Sequence, residues 1–492
     1  MTPLLVQPSE MPSPFDVTTA AFATQRKAQR KWGETPLYLR LYALGRLRHC
    51  LAERAQQLAQ SIALPGRTEA DTVAAEVLPL LDACKFLESE AEEILRTRRE
   101  PNDLRPFWLR GVHVQTRREP HGLVLIIAPS NYPLMLAGIQ ALQALAAGNA
   151  VLWKPGHGGR ACAKIFEDAL QASSMEPALL TVFGEGVEDA QHAIESGVDK
   201  VIVTGSNRTG ASVLKQLSPQ PVDTVMELSG CDSVFVLMDA RLDRAVEALT
   251  FGIRFNGSAS CMAPRRVFVA NQLAADLEAR LVRSLSAVRG TPFPTSTMER
   301  LDHLIREATA LGARLVYDGR GDRECGPVLL TGVRPDMEIA ATDIFAPVLS
   351  LMPFRYEEEA LEADRLCPYA LTVTIFGGES AALRIAEQVN AGCVLINDIL
   401  ATTADPRCAF GGRKRSGYGM TRGREGLLEM TAPKTVLIRR GDDRRHYRLT
   451  GNQHADFFYG YIAAVHGEGI AKRWRGWIRT IRGAIKLGKM SG

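Results

Sequence analysis

The chain has 492 residues, 46% of them hydrophobic, and its 59 Lys and Arg against 55 Asp and Glu leave a net charge of +4. This composition excludes disordered and collagen-like chains, gives no argument for a nucleic-acid partner, and at this length predicts several domains with sizeable cores. The charge is unevenly placed: residues 437–492 carry +8 and the rest of the chain −4, so a mildly acidic body ends in a basic tail.

The N-terminal segment MTPLLVQPSEM has neither a positive n-region nor an apolar h-region, so no secretory signal is expected. The nine cysteines are widely spaced, with no CxxC pair and no Cys/His cluster at zinc spacing. Reduced intracellular thiols, a cytoplasmic location and no metal site are the expectation. The first hundred residues read as helical. Leu37, Leu41, Leu44, Leu47, Leu51, Ala55, Leu58 and Ile62 recur at spacings of three and four, one apolar helix face, with Thr35 as N-cap and Pro36 in the first turn. Trp108 to Arg118 alternates and reads as a hairpin or edge ribbon. Gly122 to Trp153 holds no charged residue over 32 positions. Pro129, Ser130, Asn131, Pro133, Gln140, Gln143, Gly148 and Asn149 break it, which argues against a spanning helix and for buried strand, loop, helix and strand.

From Leu123 the pattern alternates. Strands are predicted at Leu123–Ala128, Ala150–Lys154, Leu180–Phe183, Lys200–Thr204 and Thr224–Leu228, with helices between them, which implies a doubly wound parallel sheet. A second α/β stretch has predicted strands at Ser233–Leu237, Arg266–Val269, Arg314–Tyr317, Val348–Pro353, Leu371–Phe376 and Cys393–Ile396. Lys434–Arg439 is a late strand that can pair with the ribbon at 108–118.

Three polar residues stand at strand ends or Gly-rich turns, where ligands bind in open α/β sheets. Asn131 lies in a strand-to-helix loop; its amide can donate to an oxyanion or cap the helix. Glu227 closes an apolar strand. It is either a strand-end charge facing water or a buried carboxylate with a raised pKa, fit to act as a general base. Cys261 lies among small residues in Phe255-Asn256-Gly257-Ser258-Ala259-Ser260-Cys261. It is either a buried small hydrophobe or a nucleophile with room for a substrate.

The order of these residues, with spacings of 34 from Glu227 to Cys261 and 23 from Asn131 to Lys154, resembles the aldehyde dehydrogenase superfamily from about Arg118 to Val436. Lys154-Pro155, Thr204-Gly205-Ser206 with Gly210, Glu227-Leu228-Ser229-Gly230, Asp343 to Val348, Tyr369 to Thr372, Asn397-Asp398 and Phe410 to Gly419 resemble further blocks of that family. The resemblance implies two doubly wound α/β domains and a small β bridging element: a Rossmann-like cofactor domain over 1–106 and 119–228, a catalytic domain over 229–430, and oligomerisation strands at 107–118 and 431–440. It implies Cys261 as nucleophile, Glu227 as general base and Asn131 as oxyanion amide, acting on an aldehyde with NAD or NADP. Lys154, Pro155, His157, Thr204, Gly205, Ser206, Gly210, Leu228, Asp343 and Phe345 would contact the cofactor. A homodimer or larger assembly is implied by the bridging strands.

Ser130, Ser229, Ser258, Ala259, Asp343 and His157 depart from the family's usual residues. His157 stands where a Glu usually contacts the adenosine ribose; without that carboxylate, NADP is expected to be tolerated at least as well as in relatives that keep it. Two alternatives remain: a CoA-acylating relative, against which Glu227 argues, and a degenerate membrane-bound scaffold, against which the retained Asn, Glu and Cys argue.

The tail, 441–492, is the part the resemblance leaves out. Phe457–Val465 is apolar but too short to span a bilayer. Beyond it, Ile470, Trp474, Trp477, Ile478, Ile481 and Ile485 share one helical arc, opposite Lys472, Arg475, Arg479, Arg482, Lys486 and Lys489. This pattern is that of an interfacial membrane helix through 457–489, with docking on the body or a second subunit, and nucleic-acid contact, as the alternatives. Gly476 and Gly483 are expected on its polar side. A hydrophobic aldehyde fits such a location.

Overall fold

The structure, a computed structural model, describes residues 22–106, 109, 111–322, 324–442, 447 and 450–490, with side chains omitted at 453 and 488–490. The chain divides into two compact units, residues 1–98 with 116–435, and 99–115 with 436–492.

The first unit is built on two mostly parallel sheets. One has six strands in the order 417–418, 223–227, 200–204, 123–127, 150–154, 180–182, and only the two-residue 417–418 strand runs antiparallel. The strand Leu123–Ile127 is buried at every position, as is the helix Met135–Ala147 that follows it. The uncharged run is therefore a strand, loop, helix and strand covered on both faces, and among the described residues no helix is long and apolar enough to cross a membrane. The other sheet has eight strands, with the path 291–292, 324–331, 348–354, 264–270, 232–236, 372–376, 393–396 and with 314–320 paired to 324–331. Its last six path members are mutually parallel. Both sheets are the doubly wound α/β arrangement expected.

Glu324–Thr331 was not among the predicted strands. Gly326-Pro327 reads as a turn, yet seven of its eight residues are buried and it pairs on both sides. Proline is tolerated where a ladder bond is not needed. The predicted single helix from Leu37 breaks at Arg54 into Leu37–Glu53 and Ala55–Gln60. Thr35 closes the preceding helix, Ala23–Glu34, and Pro36 itself takes the N-cap place with extended backbone. Lys434–Arg439 lies within Thr431–Arg439, which is hydrogen-bonded to Val112–Pro120 in a three-stranded sheet with Arg98–Arg99. Trp108 lies outside the described residues.

One buried ion pair ties the N-terminal helices to the sheet. A π-helical turn, Val73–Val77, points Glu76 into the interior, where its side chain and that of Arg67 have no exposure. Glu76 accepts from Arg67 Nη1 at 2.7 Å and from the backbone N–H groups of Leu134 and Met135, the first free donors of the 135–147 helix. Burial pushes the Glu76 carboxyl up against the pull of Arg67. Removing one member strands the other in a dry interior, so Glu76→Ala is expected to cost about 3–5 kcal/mol of unfolding free energy. Urea titration checks it; a loss below about 1 kcal/mol contradicts the role given to this pair.

Candidate active site

Parallel register brings the ends of four strands to one edge, with Ile127 beside Lys154 and Thr204 beside Glu227. The loops leaving that edge carry Asn131, Pro155, His157, Gly205 and Ser206. From the second sheet's side comes the loop that holds Cys261, between the helix Leu242–Arg254 and the strand Pro264–Ala270.

That loop is strained and latched. Asn256, Gly257 and Ser258 lie in succession at φ 55°, 57° and 61°. Asn and Gly tolerate this region; Ser does so at a cost of about 1–3 kcal/mol. Buried Arg265 holds Ser258 by two bonds, Nη1 to Oγ at 2.6 Å and Nη2 to the carbonyl at 2.7 Å. The same Nη1 donates to the Ala346 carbonyl at 3.0 Å, so one guanidinium joins the Cys261 loop to the segment after Asp343. The Ala259 carbonyl accepts from the side-chain amides of both Asn131 and Asn256 at 3.0 Å. Asn131 is fixed in turn through its own carbonyl, by Arg67 and Asn256, each at 3.2 Å. It caps no helix: the helix begins at Met135, with Leu134 at the cap position and no side-chain bond there.

Glu227 does not face water. It is 2% exposed; Oε2 accepts from Thr421 Oγ1 at 2.9 Å, and Oε1 is buried with no protein partner. Burial raises its pKa, while Arg422 and the Thr421 bond lower it. Arg422 is held by its Nη1 bond to the Thr403 carbonyl and lies 4.3 Å over the Phe410 ring. Gly230 abuts Cys261, and a Cβ there would collide with the Cys261 carbonyl. This close approach sets the Glu227 strand end against the Cys261 loop. Cys261 is half-buried. Burial drives its thiol pKa well up, the carboxylates of Glu227, Asp232 and Asp343 add to this, and Arg422 opposes it.

Asp343 has a raised pKa of about 6 from burial, against the pull of Arg265 and a hydrogen bond from Ser229. Its Oδ1 is a second buried oxygen with no protein partner. Phe345 is half-buried two residues on. Three of the unusual residues thus belong to one chain of contacts: Ser229 bonds Asp343, Asp343 faces Arg265, and Arg265 grips Ser258.

At the strand-end edge, Gly205 N donates to the Glu227 carbonyl and Thr204 Oγ1 accepts from Gln140. Ser206 caps the helix Asn207–Leu217 by accepting from Thr209 N. Gly210 lets this helix pack on Leu228: a Cβ there would lie 2.9 Å from both Leu228 methyl carbons. Lys154 is nearly buried beside buried Pro155; burial lowers its pKa against Asp189, Glu185 and Glu188. His157 is exposed, 3.4 Å from Glu185. Glu185 accepts from Gly158 N and Arg160 N, which hold its carboxyl below the usual range. A carboxylate from another loop, that of Glu185, thus stands beside position 157.

Sequence reading missed Arg67, Asn256, Arg265, Thr421, Arg422 and Glu185. The Asn-Gly step at 256–257 was a usable turn signal. Thr421 and Glu227 are 194 positions apart, and no local pattern links them.

Residues 14–436 match the sequence model of the Aldehyde dehydrogenase family. The chain is 29% identical over 464 residues to the 4,4'-diapolycopene aldehyde oxidase of Methylomonas sp, covering 90% of this chain and 86% of that one. It is 29% identical over 330 residues to a 4,4'-diapolycopene-4,4'-dial dehydrogenase of Cytobacillus firmus, covering 65% of this chain and 73% of that one. Among solved structures, it resembles the NADP-dependent glyceraldehyde-3-phosphate dehydrogenase from Bacillus halodurans C-125 complexed with NADP. The TM-score is 0.78 at 26% identity, over 87% of this chain and 92% of that one. Betaine aldehyde dehydrogenase from Staphylococcus aureus in complex with NAD+ has the same fold, with a TM-score of 0.79 at 22% identity over 87% and 89% of the two chains.

Proposed function

The chain belongs to the aldehyde dehydrogenase family, which oxidises aldehydes to carboxylic acids, and we propose that within it Cys261 is the nucleophile, Glu227 the general base and Asn131 the oxyanion donor. The observation that carries this is the meeting of three separate segments: Asn131 latched to the carbonyl of Ala259, and Gly230 of the Glu227 loop pressed against Cys261.

The strand-end edge fits NAD or NADP. Two buried oxygens, Asp343 Oδ1 and Glu227 Oε1, lack partners. The capped helix at Ser206 offers N–H groups for a pyrophosphate. Lys154, Pro155 and His157 would flank the adenosine ribose, with Thr204, Gly205, Ser206, Gly210 and Leu228 around the pyrophosphate and Asp343 and Phe345 toward the nicotinamide. Bound there, the cofactor would supply the hydride acceptor.

The residues of the chain do the rest. The Cys261 thiol gives up its proton to water, and the thiolate attacks the aldehyde carbon, forming a C–S bond while the carbonyl electron pair becomes an oxyanion. Asn131 has two amide protons; one is spent on Ala259, and the second, with the Cys261 N–H, receives the oxyanion. Loss of hydride from this adduct leaves a thioester on Cys261. Glu227 Oε1 then takes a proton from water, hydroxide attacks the thioester carbon, and the C–S bond breaks to release acid and thiolate. Thiolysis by CoA needs no such base, so the dry carboxylate favours hydrolysis. A degenerate scaffold is disfavoured because Ser229, Asp343 and Ser258 compensate one another through Arg265 rather than drifting singly.

An apolar aldehyde is the substrate class, supported by the diapolycopene aldehyde oxidase among the relatives. We assign 1–106 with 119–228 to cofactor binding and 229–430 to catalysis. Among the described residues the strand Thr431–Arg439 is the last in its three-stranded sheet, and a homodimer or larger assembly through 107–118 and 431–440 is the natural way to cover such an edge. Peripheral membrane contact through 457–489 places the enzyme near apolar substrates.

NAD(P)H production with hexanal tests the chemistry, and Cys261→Ala must abolish it. Glu227 works as the carboxylate, so activity falls as pH drops through its raised pKa. Thr421→Val removes a bond that lowers that pKa and is expected to move the acid limb to higher pH. An unmoved limb contradicts Glu227 as the base. Glu185 stands where a ribose 2′-phosphate would be repelled, so NAD is expected to be preferred. Glu185→Gln should then raise kcat/KM for NADP relative to NAD by about tenfold; an unchanged ratio removes Glu185 from cofactor selection.

A further inference from the structure

The tail folds as an antiparallel hairpin of two helices, Ala455–His466 and Ile470–Met490, joined at Gly467–Gly469. Its packing is the reverse of a water-soluble helix pair. The seam is made of small residues. A Cβ on Gly460 would lie 2.5 Å from Thr480 N, one on Gly476 would collide with the backbone of Ala463 and Ala464, and one on Gly483 would lie 2.9 Å from Phe457 Cα. Thr480 and Ala464 are buried in the same seam. Gly476 and Gly483 therefore do not sit on a solvated polar side, as the sequence suggested; they form a third face that lets the two backbones touch.

The large apolar side chains point outward. Phe458, Tyr459 and Ile462 on the first helix and Ile470, Trp474, Trp477, Ile478, Ile481 and Ile485 on the second are exposed, Ile470 by 89% and Trp474 by 68%. In water the hydrophobic effect would favour the opposite arrangement. A small-residue seam with bulky apolar residues outside is how helices pair when the surroundings are lipid. Lys472, Arg473, Arg475, Arg479, Arg482 and Lys486 are also exposed on the second helix. Arg479 pairs with Asp456, and Arg473 donates to the Val465 carbonyl at the end of the first helix. The surplus of positive charge selects an anionic surface, and tryptophans favour the headgroup boundary.

We propose that residues 455–487 form a preassembled two-helix wedge, closed by Gly460, Gly476 and Gly483, that inserts into one leaflet of an anionic phospholipid membrane. This deepens the peripheral contact stated above and rests on that reading, but it does not depend on the aldehyde chemistry. Neither helix spans, so the wedge lies at the boundary of headgroups and acyl chains.

The test is co-sedimentation of the full-length protein with vesicles of phosphatidylglycerol mixed with phosphatidylcholine, or of phosphatidylcholine alone. Binding to the anionic vesicles should be stronger by at least about tenfold and weaken with salt. Trp474→Ser with Trp477→Ser, and separately Arg475→Glu with Arg482→Glu, should each abolish that preference and leave hexanal turnover in solution unchanged. Gly476→Leu should weaken binding by splaying the seam, with circular dichroism confirming that helix content is kept. Cys261→Ala should bind as wild type does, so failure of the catalytic reading would leave this result standing. Equal pelleting on both vesicles would overturn the anionic selectivity, and no pelleting on either would overturn the membrane partner. Normal binding by folded Gly476→Leu would overturn the hairpin in favour of a single amphipathic helix. Variants that change the oligomeric mass but not vesicle binding would assign the apolar face to a second copy of the chain.

Discussion

The candidate site depends on one carbonyl. Ala259 O receives the amide of Asn131, which pins the Cys261 loop to the cofactor-side sheet, and that of Asn256 from within the loop itself, which also donates to the Asn131 carbonyl. The loop needs pinning because three successive residues hold positive φ. Arg265 takes up the remaining strain at Ser258, and Arg67 supports Asn131 from the helices beneath. Preorganisation here is a set of neutral and charged hydrogen bonds in a dry interior, where each is worth more than in water and each orphaned partner costs more.

The same dryness sets the electrostatics. Glu227, Asp343 and Cys261 are all pushed toward their neutral forms by burial, and Arg422 and Arg265 are the buried cations that oppose this. A carboxylate at the end of an apolar strand with one oxygen tied and one unpaired is poised to take a proton rather than to hold a salt bridge. The departures from the family pattern gain a physical reading: Ser229 reaches the shorter Asp343, and Ser258 is gripped by Arg265. Three of the six departures, Ser229, Asp343 and Ser258, share a single network through Arg265.

Much of the fold was legible because alternating strands and helices leave periodic marks, and parallel strands buried on both faces read as apolar runs. Asn131, Glu227 and Cys261 were legible as candidates because their order resembled a known family; taken singly, each had an ordinary structural reading. What escaped depends on partners far apart in sequence. Thr421 tied to Glu227, Glu185 beside His157 and Arg67 beneath Asn131 leave no local trace. Glu324–Thr331 was hidden by a Gly-Pro pair, and the tail's glycine face was hidden because a helical wheel shows what is polar, not what is packed.

The most direct test of the central claim is to trap the covalent intermediate. Glu227→Gln keeps the shape of the site but cannot take the proton from water, so the thioester should form and persist. Incubated with hexanal and NAD or NADP, then digested and read by mass spectrometry, the variant should carry a hexanoyl group on Cys261. An acyl group on another cysteine, or none on Cys261 alongside full steady-state turnover, would contradict the assignment of nucleophile and base.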